Sequence, residues 1–235
     1  MRVLVTRPAH SGERTAQRLR ELGHEPLLLP LARPVHDMTA ARHALETTNG
    51  AIAITSAEAV RMLQSLGEAL APHLSRRLFA VGETTAEEAR RLGFQSVTAS
   101  SGNGRELAEL IATNNVDRLL YLAGSPRAET FETRLKELER HFRVIECYRM
   151  EPVAPNPETV AALLTNNPPD AVLFYSRQTA GNFFRIPQAE SLLLQLPKIR
   201  LICLSNTVAE AVPPALKTAL EISQMPDEKN LLSLL

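Results

Sequence analysis

A chain of 235 residues has room for one large domain or two small ones, each with its own core, and 44% apolar residues is ordinary for a globular protein. Lysine plus arginine equals aspartate plus glutamate at 26 each, so the formal net charge is zero, which argues against a nucleic-acid binder while leaving room for a local basic cleft. No stretch approaches the roughly 18 apolar residues of a membrane span. There is no CxxC or Cys/His cluster to make a structural zinc site, and Cys147 and Cys203, in apolar strand-like runs, read as buried free thiols. The N-terminus enters a strand directly, with neither the basic flank nor the long apolar core of a signal peptide, so the cytoplasm is the expected compartment.

In chain order, residues 2–6 form a strand, followed by a helix that Ser11 caps, with Ala16, Leu19 and Leu22 inward and Gly23 as its stop. Residues 25–29 form a second strand. Segment 30–36 is extended but interrupted by Pro30 and Pro34, which suits an edge strand or linker. A weak helix at 39–46 precedes a strand at 51–55 and a helix at 57–66, where Thr55 and Glu58 have capping-box spacing. The stretch 78–93, LFAVGETTAEEARRLG, shows the plan most clearly. It holds an apolar strand, a sharp turn at Gly82 and a helix with Thr84/Glu87 and Thr85/Glu88 as possible capping boxes. Strand 95–99, loop 100–104, helix 106–112, strand 119–122, helix 129–141 and strand 143–148 follow. A second proline-marked stretch, 148–155, leads to helix 158–164, strand 171–175, helices through 196 and strand 200–204. A helix broken at Pro213-Pro214, a short strand at 220–223 and a helix at 227–235 complete the chain.

Repeated units of strand, small polar turn and helix argue for parallel sheets with crossover helices, an α/β fold. The two proline-marked stretches bracket a complete α/β segment. This predicts an inserted domain: one discontinuous lobe from 1–33 plus 152–235, and a second lobe from 34–151.

Each turn gathers unpaired N–H groups and hydroxyls at the carboxyl end of a strand, where open α/β sheets bind ligands. Thr55, Ser56, Thr84, Thr85, Ser176 and Thr207 lie there, and each serves equally as a helix cap. Arg7, Arg127 and Arg177 each follow a strand, placed either to clamp carboxylates or phosphates by forked hydrogen bonds or to sit solvated on the surface. Gly102-Asn103-Gly104 lacks the third glycine of a dinucleotide fingerprint, having Leu107 there, and reads as a turn that can offer N–H groups to an anion. P-loop, GxSxG and HExxH motifs are absent, and no hydroxyl has a sequence-adjacent base to make it a nucleophile. The six histidines read as structural or solvated; Tyr121 reads as core, and Tyr148 and Tyr175, at strand ends, suit a polar task.

Taken together, these stretches resemble the uroporphyrinogen-III synthase family. The matching segments are VLVTRP (3–8), ITSAEAV (54–60), FAVGETTAEEARRLGF (79–94), SGNGRELAELI (101–111), YLAG (121–124) with Arg127, IECY (145–148), LFYSRQTAGNFF (173–184) and CLSNTVAEA (203–211). They follow the family's order nearly end to end. The resemblance implies two flavodoxin-like parallel-sheet lobes joined by a two-stranded linker, and a monomer. It implies a cofactor-free cyclising hydro-lyase that converts the linear polycarboxylate hydroxymethylbilane to uroporphyrinogen III, inverting ring D and losing water. Hydroxymethylbilane synthase would be a transient partner, with no nucleic acid or membrane involved. The family's tyrosine at the end of IECY falls on Tyr148, as hydrogen-bond donor to the leaving hydroxyl. Thr55, Ser56, Thr85, Ser176 and Thr207 fall on carboxylate contacts, with the Gly104 turn and Arg7, Arg127 and Arg177 completing the substrate-binding set.

Many bacterial relatives carry Asn where this chain has Glu58, so Glu58 is expected to point away from substrate or to cap its helix. Alternation along 143–148 turns Ile145 and Cys147 toward a core and leaves Tyr148 on the more polar side. The alternative reading is a non-catalytic two-lobed α/β protein that binds a small anion.

Overall fold

The computed structural model describes residues 1–235. Its first elements are β1 (Arg2–Val5), α1 (Ala9–Glu21), β2 (Glu25–Leu28), β3 (Ala32–His36) and α2 (Met38–Thr47). Next come β4 (Ala51–Ile54), α3 (Ala57–Gln64), β5 (Arg77–Val81), α4 (Glu83–Arg91), β6 (Ser96–Ser100) and α5 (Gly104–Thr113). They are followed by β7 (Leu119–Ser125), α6 (Thr130–Glu137), β8 (Phe142–Pro152), α7 (Pro157–Thr165) and β9 (Ala171–Phe174). The chain ends with α8 (Arg177–Phe184), α9 (Ala189–Leu194), β10 (Arg200–Cys203), α10 (Asn206–Ala209), β11 (Leu220–Ile222) and α11 (Glu228–Leu232). Contacts divide it into two compact units: unit 1 is Met1–Arg33 with Glu151–Leu235, and unit 2 is Pro34–Met150. No helix is long and apolar enough to cross a membrane.

Both units are doubly wound α/β sheets. In unit 1 the strands lie β11-β10-β9-β1-β2, all neighbours parallel, which is order 2-1-3-4-5 within the unit and reverses between β1 and β9. The unit 2 sheet runs β3-β8-β7-β4-β5-β6. Leaving aside edge strand β3, that is order 3-2-1-4-5, reversing between β4 and β7. β4 (AIAI) and β9 (AVLF) are buried at every position because helices cover both faces, so they read as continuous apolar runs rather than alternating ones. Successive residues still go to opposite cores. Leu4, Val172 and Leu201 pack with Phe174 and Phe183 on one face of unit 1, and Val3, Val5, Leu173 and Ile202 pack with Leu19 and Leu231 on the other. In unit 2, Ile52, Ile54, Leu120 and Leu122 share one face, and Ala53, Phe79 and Tyr121 share the other with Phe131. Pro34 sits in β3, an edge strand, where a missing N–H costs least.

Several local expectations are corrected. Ala123 pairs with Glu146 but Gly124 pairs with Tyr148, so Cys147 is an extra residue in β8, a bulge. The bulge resets the period of two, and Cys147 and Tyr148 enter the same apolar cluster instead of facing opposite ways. α1 begins at Ala9 behind Pro8, leaving Ser11 inside the helix rather than capping it. α4 begins at Glu83 behind Gly82, which has φ of 75°, and no side chain caps it, so neither threonine box forms. The helix expected over 129–141 stops at Glu137, and Glu139 takes a positive φ of 52° before β8. The last helix is confined to Glu228–Leu232, with Asp227 accepting from the Asn230 N–H.

Candidate functional site

At the carboxyl edge of the unit 2 sheet, β4 ends beside β7, where strand order reverses, and β8 runs on past both to Pro152. β4 stops at Ile54, and Ser56, in extended conformation, accepts the Glu58 N–H at 3.1 Å and caps α3. Thr55 Oγ1 lies 2.9 Å from the Tyr121 hydroxyl. Tyr121 is otherwise buried, edge-on to Phe131 with ring centroids 4.8 Å apart. Burial raises its pKa.

Tyr148 is 9% exposed and its ring lies over Gly124. A Cβ at position 124 would sit 2.2 Å from the Tyr148 Cζ, so the absent side chain is what admits the ring. Burial pushes the Tyr148 phenol up to about 12, with the Ser56 side chain within hydrogen-bonding reach. The edge thus holds four hydroxyls, those of Thr55, Ser56, Tyr121 and Tyr148. Such a set can polarise a leaving or anionic oxygen by hydrogen bonding, without taking the proton itself.

Glu58 is 7% exposed and held away from this group. Its Oε1 lies 2.7 Å from His36 Nε2, and its Oε2 accepts from Arg61 Nε at 2.9 Å and Nη2 at 2.7 Å. Arg61 Nη1 also reaches Glu88 at 3.3 Å. Of the two roles expected for Glu58, pointing away and capping, the structure has the first, because Ser56 caps α3. Glu88 likewise serves Arg61 rather than a box with Thr85, which is buried in the first turn of α4.

Arg127 follows β7 and is tied down within its own unit. Its Nε lies 2.6 Å from Glu132, and its Nη1 lies 2.6 Å from Glu146 and 3.3 Å from the Gly124 carbonyl. Burial opposes its charge, but the two carboxylates outweigh that and raise its pKa. Gly104 opens α5 behind Asn103, whose side chain accepts the Glu106 N–H at 3.0 Å. A Cβ at Gly104 would come within 2.9 Å of the Phe131 Cβ, so this glycine has a packing reason of its own.

In unit 1 the reversal falls between β1 and β9. Arg7 follows β1, donates to Glu228 at 2.8 Å and to Thr15 at 3.1 Å, and stacks 4.1 Å from the centre of the Tyr175 ring. The Tyr175 hydroxyl donates to the same Glu228 at 2.9 Å, and Arg18 pairs with it too. Burial would raise the Glu228 carboxyl, but Thr15, Arg7, Tyr175 and Arg18 together hold it below its usual value. Ser176 caps α8, accepting the Thr179 N–H at 3.1 Å and donating to its hydroxyl at 2.8 Å. Arg177 makes an exposed pair with Glu210 at 3.3 Å, and Thr207 is exposed on α10.

The unit 2 edge thus carries two hydroxyl pairs, Thr55 with Tyr121 and Ser56 with Tyr148, whereas Arg7, Arg127 and Arg177 each already have a carboxylate partner. The sequence reading passed over two groups. Tyr121, taken as core, turns its hydroxyl to Thr55; its place three residues before the strand's glycine is the only trace of that. The i, i+3 spacing of Glu58 and Arg61 signals their pair, but nothing in the sequence points to His36 as a third member.

Two doubly wound parallel sheets, with hydroxyls and helix N-termini at their carboxyl edges, define an α/β protein of two units. The family described as Uroporphyrinogen-III synthase HemD matches residues 13–233, and the chain belongs to that family. Uroporphyrinogen-III synthase of Saccharomyces cerevisiae is 30% identical over 157 residues, covering 56% of this chain and 56% of that protein. Porphyrin biosynthesis protein HemD of Ruminiclostridium josui is 24% identical over 221 residues, covering 89% of this chain and 43% of that protein. The chain thus spans about half the length of these curated relatives. The crystal structure of uroporphyrinogen-III synthetase from Helicobacter pylori 26695 has the same fold, with a TM-score of 0.66 at 20% identity over 100% of this chain and 98% of that one.

Proposed function

We propose that the protein cyclises hydroxymethylbilane to uroporphyrinogen III, a step of porphyrin and heme biosynthesis, with inversion of ring D and loss of water. The observation that carries this reading is the family match over residues 13–233. The hydroxyl group around Tyr148 suits the chemistry. Loss of the terminal hydroxyl as water leaves an azafulvene electrophile, and ring D attacks it through its substituted carbon to give a strained spiro intermediate. Left alone, the same chain closes to the uninverted isomer, so the catalytic task is mainly to hold a flexible polyanion in one geometry. Tyr148, backed by Ser56, would donate a hydrogen bond to the departing oxygen. With its phenol raised by burial, polarisation rather than full ionisation is its role.

Substrate carboxylates would be received by Thr55, Ser56 and Thr207 and by the N–H groups at Gly104, all beside helix N-termini, with Ser176 joining only by turning its proton from Thr179 and Thr85 only by emerging from the first turn of α4. Arg7, Arg127 and Arg177 would join only by sharing with or leaving their glutamates. The exposed Arg177–Glu210 pair is the cheapest to open. Because the substrate closes spontaneously, direct transfer from hydroxymethylbilane synthase would favour the inverted product. Incubating the purified protein with hydroxymethylbilane and separating the porphyrinogen isomers tests the reading. Isomer III in excess is expected, and isomer I alone, as in the blank, would overturn it.

A further inference from the structure

The opposite, amino-terminal edge of the unit 2 sheet has a different electrostatic character. Two adjoining depressions lie there, of about 250 and 420 Å³, sharing Asn49, Gly50 and Arg118 in their linings. The first adds Thr47, His141 and Arg143, and the second adds Arg76, Arg77 and Asp117. Elsewhere in this unit arginines pair with carboxylates: Arg42 with Glu46, Arg61 with Glu58, Arg90 with Glu83, Arg127 with Glu132 and Arg134 with Glu137. At this edge none does.

Arg76, half-buried, donates to the carbonyls of Gly50 at 2.7 Å, Leu45 at 3.3 Å and Thr48 at 3.1 Å, and burial lowers its pKa. These bonds explain Arg76 by itself, since it caps the carbonyl end of α2. They do not explain its neighbours. Arg77 bonds only the carbonyl and side-chain oxygens of Asn114 at 3.1 and 2.9 Å while stacking on Phe79. Arg143 donates only to the Thr47 hydroxyl, at 3.1 Å. Arg118 is exposed and has no side-chain partner. Asp117 is the one carboxylate in either lining.

We propose that this edge binds a small polyanion, whose phosphate or carboxylate oxygens are held by Arg118 and Arg143 over the turn at 47–50. Guanidinium forks match both oxyanions, and the exposed Asn49 amide supplies a neutral donor beside them, while the Thr47 and Thr48 hydroxyls are spent on the His43 and Ala44 carbonyls. A concavity of this size suits a compact ligand better than an extended chain. The proposal is independent of the cyclase reading, because it concerns the other end of the strands.

Calorimetric titration of the full chain with pyrophosphate and with citrate, at constant ionic strength, tests it. Saturable one-site binding of at least one anion is expected, the tighter of the two telling a phosphate ligand from a carboxylate one. Arg118→Gln with Arg143→Gln should weaken it about 10- to 100-fold, the worth of one or two charge-assisted hydrogen bonds, while Arg105→Gln on α5 leaves it unchanged. Amide shifts in the wild-type protein, which need no variant, should centre on Asn49, Gly50 and Arg118. No saturation below about 10 mM, equal binding by the double variant, equal weakening by Arg105→Gln, or shifts centred elsewhere would each overturn it.

Discussion

The two sheets reverse strand order at comparable places and fill those places differently. Between β1 and β9 of unit 1, Arg7, Thr15, Arg18 and Tyr175 converge on the single carboxylate of Glu228. Each of those four side chains directs a donor at that one carboxylate. Between β4 and β7 of unit 2, Thr55, Ser56, Tyr121 and Tyr148 form a group of hydroxyls, while Glu58, Glu132 and Glu146 are engaged by His36, Arg61 and Arg127. One reversal point is locked by an internal anion. The other keeps neutral donors and holds its anions to the side, the arrangement expected where the anion is to come from outside.

The sharpest way to break the contrast is to remove a hydroxyl from unit 2. Tyr148→Phe should lower kcat for the proposed cyclisation about 10- to 1,000-fold, the usual range for one positioned proton donor, with the melting curve unchanged. An unaltered kcat would leave Tyr148 as packing only. Gly124→Ala should act in the same direction by driving the ring from its seat, since the new Cβ would lie 2.2 Å from Cζ.

The corresponding change in unit 1 should damage stability instead. Glu228→Ala strands Arg7 and Tyr175 in a partly buried pocket and should cost about 2–4 kcal/mol in denaturant unfolding. The folded pKa of Glu228 lies below its ordinary value of 4.5, so its contribution is full above that pH and is lost as pH falls through the folded value. Acid titration of stability should therefore lose that limb in Glu228→Gln, and an unchanged acid limb would contradict the lock.

Smaller effects refine the picture. Glu58→Gln keeps the shape of its bonds but removes the charge shared by His36 and Arg61. It should cost about 1–2 kcal/mol, and it should lower the Tyr148 pKa, which the Glu58 charge helps to raise. Tyrosinate absorbance, referenced to Tyr148→Phe, would read that shift. Last, a substrate drawn by local fields should show a KM that rises with ionic strength more than kcat falls. A KM indifferent to salt would remove the arginines from the proposal.

The α/β class was legible because runs such as 3–5 and 172–174 are short, apolar and followed by small polar turns. Local chemistry was less so. Capping-box spacing at Thr84 and Thr85 was real, but Gly82, free to take a positive φ, starts α4 before either threonine can cap it. Strict alternation failed at Cys147 because a bulge is a pairing property of two strands, set by β7 as much as by β8. The positions of Arg7 and Arg127 after their strands could be read directly. Their occupation could not, since Glu228 lies 221 residues from Arg7 and Glu146 lies 19 from Arg127. Tertiary partners of that kind leave no periodic trace.

The split ancestry of unit 1 has a consequence for biosynthesis. Thr6 donates from its hydroxyl to the Leu173 carbonyl at 2.9 Å, 167 residues further along the chain. At ordinary elongation rates β1 emerges from the ribosome roughly 10–30 s before β9 exists to pair with it. Unit 2, contiguous from Pro34 to Met150, can meanwhile close its own sheet. The nascent chain therefore matures from the middle outward, and through that interval Val3, Leu4 and Val5 form an apolar strand with an empty edge. A nascent-chain chaperone that favours exposed aliphatic runs would find its first foothold there, and release would wait on the synthesis of β9.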